Sequence, residues 1–244
     1  MNKNYILKRD LNRFLNNKKY YFSDPFPHWI IDGIFDEFYL SQISNTERLL
    51  KVASRAQKEG WGLSYFNNEL ETKIGVNNIS TKDGVYSFLE FLNSNEFVNF
   101  LIKITGIKNL LPDNEFHGGG LHLIPKGGRL GVHIDFSKHK KDTNLWRRCN
   151  VLLYLNKNWR DDWGGHLELW DLPKKKGGKC IKKIKPSFNK LVIFGTSKDS
   201  WHGHPQNLNC PEELMRASLA TYYYSKDKGS DISDHSTIFA EQVK

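Results

Sequence analysis

Apolar positions follow two regimes along the chain, and the change comes after Pro112. Before it, hydrophobic residues recur at helical spacing. Phe38, Ile43, Leu49, Leu50 and Val52 form one stripe, which predicts a helix over about 37–58 with Asp36 as its cap and Gly60 at its end. Phe88, Leu89, Phe91, Leu92, Phe97, Phe100 and Leu101 predict a second helical stretch over about 83–103, broken near Asn93-Ser94-Asn95. This aromatic stripe reads as core packing rather than as a ligand site. Upstream, Asp24-Pro25-Phe26-Pro27-His28 forces an extended entry, because each proline turns its predecessor away from the helix. Residues 1–20 are polar and rich in Asn and Lys, and read as a short helix or a loose arm.

Beyond Pro112 the pattern becomes short apolar runs separated by glycines. Residues 121–124, 129–134, 150–155, 166–169, 191–194 and 217–224 read as strands, with Gly118-Gly119-Gly120, Gly127-Gly128 and the stretches 156–165 and 173–178 between them. Many short strands preceded by helices predict a mainly β fold with α: a jelly-roll or barrel braced on one face by N-terminal helices. The organisation expected is an arm (1–20), a helical support region of the same domain (21–112), a β core carrying the chemistry (113–228) and a C-terminal tail (229–244).

Composition narrows the class. With 244 residues, 39% hydrophobic and 13% aromatic, the chain can fill a sizeable core and is not disordered by composition. No apolar run approaches a membrane span, and the first ten residues lack the apolar run of a signal peptide. Cys149, Cys180 and Cys210 are odd in number and widely spaced, which argues against a disulfide framework or a Cys-based zinc site and fits a reducing cytoplasm. The net charge of +9 is local: without Lys174, Lys175, Lys176, Lys179, Lys182, Lys183, Lys185 and Lys190 it falls to about +1. That patch fits a solvated hairpin or loop better than a nucleic-acid surface, since no aromatics are interleaved as stacking platforms.

The candidate chemistry begins at His133-Ile134-Asp135, followed by Ser200-Trp201-His202-Gly203-His204 and Arg216-Ala217-Ser218. A His-x-Asp pair alone is weak, because nine histidines supply about half of one by chance. At i, i+2 on a strand, however, His133 and Asp135 share a face and can reach one metal. A third ligand must come from another strand, and His202 and His204 both qualify. Two imidazoles and a carboxylate suit one face of an octahedral Fe(II), leaving three open positions. Arg216 and Ser218 share a strand face, and a fixed arginine suits a cosubstrate with a second carboxylate. His166 and Glu168 form a rival pair, set aside because they lie in the glycine–glycine–strand element. His28, His117, His139 and His235 read as ordinary surface or hydrogen-bonding residues.

Further runs carry a resemblance: Tyr154-Leu155-Asn156-Lys157-Asn158-Trp159, Gly164-Gly165-His166-Leu167, and the stretch from Lys190-Leu191-Val192-Ile193-Phe194 through Trp201-His202 to residue 224. In these the chain resembles the prolyl 4-hydroxylase-like branch of the Fe(II)/2-oxoglutarate-dependent oxygenases, over roughly residues 116–225. The resemblance implies a double-stranded β-helix (jelly-roll) core. It implies His133, Asp135 and His202 as ligands of Fe(II), Arg216 as partner of the 2-oxoglutarate C5 carboxylate, and a hydroxyl contact from Tyr154. His204 takes a position that is usually aliphatic in these enzymes. The tyrosines that such enzymes carry before the first histidine are missing from Leu123-Ile124-Pro125-Lys126-Gly127-Gly128-Arg129-Leu130, and His122 is a candidate substitute donor. The implied activity is hydroxylation of an unactivated C–H of a peptidyl, amino-acid or glycan-type substrate. It consumes O2, releases succinate and CO2, and has ascorbate as a candidate reductant. Asp135 disfavours halogenation, since related halogenases have a small residue there. Alternatives are a nucleic-acid demethylase of the same chemistry and a non-catalytic binding domain of this fold.

Overall fold

The computed structural model describes residues 7, 10–15, 17–59, 63–173, 176–229 and 232–242. Gly60, Lys174 and Lys175 lie outside the described residues, as do Met1 to Ile6. The first half contributes β1 (Tyr21–Phe22), β2 (His28–Asp32), α1 (Glu37–Ile43), α2 (Thr46–Glu59), β3 (Leu63–Asn67), β4 (Thr72–Val76), α3 (Gly84–Leu92), α4 (Asn95–Thr105) and β5 (Leu111–Pro112). The second half is β6 (Gly120–Ile124), β7 (Leu130–Ile134), β8 (Trp146–Tyr154), β9 (Leu167–Trp170), β10 (Cys180–Ile184), β11 (Lys190–Gly195), β12 (Trp201–His204), β13 (Arg216–Ser225) and β14 (Ile238–Phe239).

Asp36 caps α1 as expected, its carboxylate accepting from the N–H groups of Phe38 and Tyr39. The single helix expected over 37–58 is two helices. Ser44 closes α1 by bonding the Ser41 carbonyl, and the Asn45 side chain accepts from Arg48 N to start α2 afresh. Phe38, counted in the apolar stripe, is 68% exposed and so takes no part in the core. The break between α3 and α4 falls where expected, with Ser94 capping α4 through Phe97 N. Leu11 and Phe14 are buried in the main core, so this part of the arm is packed rather than loose.

Two antiparallel sheets form the body. One has nine strands, ordered β1-β2-β11-β8-β13-β6-β4-β3 with β5 beside β13; the other has five, ordered β10-β9-β12-β7-β14. Strands β2 and β4, from the region expected to be helical, pair with β11 and β6 and widen the large sheet. The large sheet is covered on both faces, and side-chain alternation sorts them. Leu121, Leu123, Val151, Leu153, Leu191, Ile193 and Leu219 join the helices in the main core. Their neighbours Tyr154, Val192 and Phe194 point the other way, against Leu167, Leu169 and Ile184 of the small sheet. A double-stranded β-helix braced by helices is the result.

Candidate metal and cosubstrate site

The two sheets enclose a cavity of about 380 Å³. His133 on β7 and His202 on β12 are direct partners across the ladder, with ring centroids 4.5 Å apart. Each ring is fixed in the same way. Nδ1–H of His133 donates to the Gly131 carbonyl and that of His202 to the Ser200 carbonyl, both at 2.8 Å. That tautomer leaves both Nε2 lone pairs free, the second-shell arrangement that metal-bound histidines use. Both Nε2 atoms face Asp135, at 3.4 Å from its Oδ1 and Oδ2 respectively. The ligand atoms of the three residues lie within 4.8 Å of one another, a group that could hold a metal ion, and cis ligands about 2.1 Å from an octahedral ion lie about 3 Å apart.

Two neighbours hold the Asp135 carboxylate. Arg147 Nη2 lies 2.9 Å from Oδ2, and Asn150 Nδ2 donates to the same oxygen at 2.8 Å. Burial alone would raise this carboxyl's pKa; the Arg147 guanidinium, with His202 and His133, outweighs it and holds the group well below the usual carboxylate range. Arg147 is itself buried, bonded through Nε to Asn150 and stacked on Tyr222 and Phe136, with ring centroids 3.4 and 4.5 Å from its guanidinium carbon. Burial pushes the His202 imidazole down to about 4, which keeps it neutral and able to ligate.

Arg216 stands in a second part of the cavity wall, with the Tyr154 hydroxyl bonded to it. Arg216 donates from Nε to the Gly165 carbonyl at 2.7 Å and from Nη2 to the Tyr154 hydroxyl at 3.2 Å. Gly165 has φ +71°, and a Cβ there would meet Leu208 and the Arg216 side chain, so only glycine offers its carbonyl in this way. Ser218 lies opposite Tyr154 in the β8–β13 ladder and lines the same cavity.

His122 also lines the cavity. Burial holds it well below its ordinary pKa, and its Nε2 is 3.0 Å from the Gly118 carbonyl. A carbonyl can only accept, so Nε2–H of His122 donates to Gly118. His204 stands apart from the three converging donors, because the ladder slips: His202 faces His133, but His204 faces Leu130. In the rival pair, His166 contacts Asp161, and Glu168 contacts Lys183 and Trp170.

His117 and His139, read as ordinary residues, gather around Asp113. His139 Nδ1 accepts from the N–H groups of Lys141 and Asp142, so its Nε2 carries the proton and faces Asp113 Oδ1 at 3.5 Å. Asp113 in turn accepts from Glu115 N and His117 N. This cluster is a hydrogen-bonded loop clip. Sequence reasoning missed Arg147, Asn150, Tyr222 and Phe239, all on the cavity wall. Asn150 carried a signal, since it shares a strand face with Leu152 and Tyr154.

The model of the 2OG-Fe(II) oxygenase superfamily matches residues 115–224. Mouse (Mus musculus) prolyl 3-hydroxylase OGFOD1 is 38% identical over 79 residues, which is 32% of this chain and 14% of that protein. The chain thus matches a small part of that relative's length. Among solved structures, a Pseudomonas putida prolyl-4-hydroxylase aligns with a TM-score of 0.56 at 15% identity, covering 88% of this chain and 98% of the other. HygX from Streptomyces hygroscopicus, with nickel, 2-oxoglutarate and hygromycin B bound, aligns with a TM-score of 0.52 at 11% identity, covering 88% and 94%. These structural likenesses speak to the fold. Taken with the sequence match over residues 115–224, they say what class the chain is similar to: the Fe(II)/2-oxoglutarate-dependent oxygenases. Two of these similarities are to prolyl hydroxylases.

Proposed function

We propose that this protein hydroxylates an unactivated C–H bond of a peptidyl, amino-acid or glycan-type substrate. Substrate C–H, 2-oxoglutarate and O2 would give the alcohol, succinate and CO2. The observation that carries this reading is the convergence of two Nε2 lone pairs and one carboxylate, each held from behind by a hydrogen bond. His133, Asp135 and His202 would hold Fe(II), and Arg216 with Tyr154 and Ser218 would hold the far carboxylate of 2-oxoglutarate. Bound iron and cosubstrate supply the oxidising power that breaks the C–H bond. The protein's own part is positioning and dryness. Arg216 is buried, so its charge acts at low dielectric on a dicarboxylate, and the two sheets shield the reacting centre from bulk water. The carboxylate of Asp135 fills the position that a halogenase leaves for chloride.

The names of the mouse and Pseudomonas relatives favour a peptidyl substrate, while the hygromycin B complex of HygX keeps a small glycan-type ligand in view. The lysine-rich segment gives little support to nucleic acid. Lys183, Lys185 and Lys190 pair with Glu168, Asp161 and Asp32, and Lys182 lies over the Phe22 ring. A reducing compartment such as the cytoplasm suits the free thiols of Cys149, Cys180 and Cys210, and ascorbate would serve as reductant. No helix among the described residues is long and apolar enough to cross a membrane.

An anaerobic titration with Fe(II) and 2-oxoglutarate, followed by an aerobic screen for substrate-coupled succinate, tests the reading. His133→Ala, Asp135→Ala and His202→Ala should each lose iron binding, and His204→Ala should keep it. Iron binding lost in His204→Ala but kept in His202→Ala would overturn the ligand set. Iron and 2-oxoglutarate binding with no succinate under any condition would favour a non-catalytic domain.

A further inference from the structure

His204 is buried, 3% exposed, and neither of its ring nitrogens has a hydrogen-bond partner among the described residues. An imidazole carries at least one N–H, and a buried polar group left without a partner is costly and uncommon. Such a group persists where something else completes it. Its place in the fold says what that is. His204 is two residues beyond His202 on β12, yet the ladder slip moves it off the three converging donors. It lines the same cavity as Arg216 and Ser218, and it also borders the Gly164-Gly165 turn, whose Gly165 carbonyl holds Arg216. A buried polar ring that shares a cavity with a buried guanidinium has no anionic partner of its own among the described residues.

We infer that His204 donates a hydrogen bond to the distal carboxylate of a bound 2-oxo dicarboxylic acid, forming with Arg216 and Tyr154 a three-donor cradle. This rests on the cosubstrate reading above and adds to it. The cradle favours a dicarboxylate over a 2-oxo monocarboxylate more strongly than Arg216 and Tyr154 alone would. Charge-assisted hydrogen bonds of this kind are also directional, so the ring helps set how the chain of the ligand lies.

The test is equilibrium binding to the full chain loaded with Mn(II) in place of iron, under argon. Two ligands are compared: 2-oxoglutarate, and 2-oxovalerate, which has the same chelating end and no distal carboxylate. His204→Leu should weaken 2-oxoglutarate at least tenfold, leave 2-oxovalerate within twofold and leave Mn(II) affinity unchanged. His204→Gln, which restores an N–H, should recover most of the loss. In wild-type protein labelled with 15N-histidine, the His204 ring resonances should move with 2-oxoglutarate and stay with 2-oxovalerate. Unchanged 2-oxoglutarate binding in His204→Leu, equal losses for both ligands, or unmoved ring resonances would overturn the cradle while leaving the cosubstrate reading intact. Failure of the wild type to bind 2-oxoglutarate at all would remove both.

Discussion

Asp135 has two oxygens with different surroundings. Oδ1 faces His133, while Oδ2 meets Arg147, Asn150 and His202. A carboxylate buried this deeply is tolerated only with such partners. Asn150 is the hinge of the group, because its side chain donates to Asp135 and accepts from Arg147. Asn150→Ala should therefore let the carboxylate swing and lower metal affinity by about 10–100-fold, with the fold retained. A Mn(II) titration giving wild-type affinity would refute this. The His-x-Asp pair was legible because strand periodicity is simple and local. Arg147 was not. By alternation it belongs with Cys149 and Val151 on the helix face, but the ladder shifts between Tyr223 and Tyr224, and that bulge turns Arg147 to the cavity. No residue type in Trp146-Arg147-Arg148-Cys149 announces the extra residue.

At the scale of elements, β12 shows why the third donor stayed ambiguous in the sequence. Trp201-His202-Gly203-His204 has no apolar alternation; it is a strand because β7 and β9 flank it. Its register comes from those neighbours, and with it the choice between His202 and His204. Gly203 makes the seam possible, since a Cβ there would lie 2.6 Å from the Gly131 carbonyl oxygen and 2.8 Å from that of Leu130. Gly203→Ala must push β12 away from β7, separating His202 from His133. We expect a lower Tm and at least tenfold weaker metal binding, read by thermal unfolding with and without Mn(II); a metal-dependent Tm rise equal to the wild type's would contradict it. The helices were legible except where side chains near Ser44 compete with the helical backbone. Strands β2 and β4 escaped notice because they lie among helices and are short.

For the molecule as a whole, two-sided coverage of the large sheet explains both its readable and its unreadable parts. All ten residues of β13 are buried, the polar Arg216, Ser218, Thr221 and Ser225 included, so burial on that strand does not follow an apolar–polar alternation. The same coverage buries His28, His122, His202 and His204, and burial lowers the pKa of each, His202 to about 4. Their folded pKa values lie below the ordinary 6.5, so the unfolded chain binds protons first as pH falls. Their stabilising contribution is full above pH 6.5 and is lost as pH falls from there towards 4. Asp135, also lowered, loses its contribution only below its ordinary 3.8. Metal-free protein should lose stability from pH 7 to 5, each histidine adding up to about 1.4 kcal/mol per pH unit. Urea midpoints that stay flat across that range would exclude this. The tail supplies a last consequence. Strand β14 pairs with β7 at Ile134 and His133, and Phe239 lies against the His133 ring. Without it, β7 would be the outer strand of the small sheet, offering unpaired N–H and C=O groups to any other extended chain. A two-residue strand is too short to recruit a partner itself, so this segment guards the molecule against self-association as well as walling the cavity.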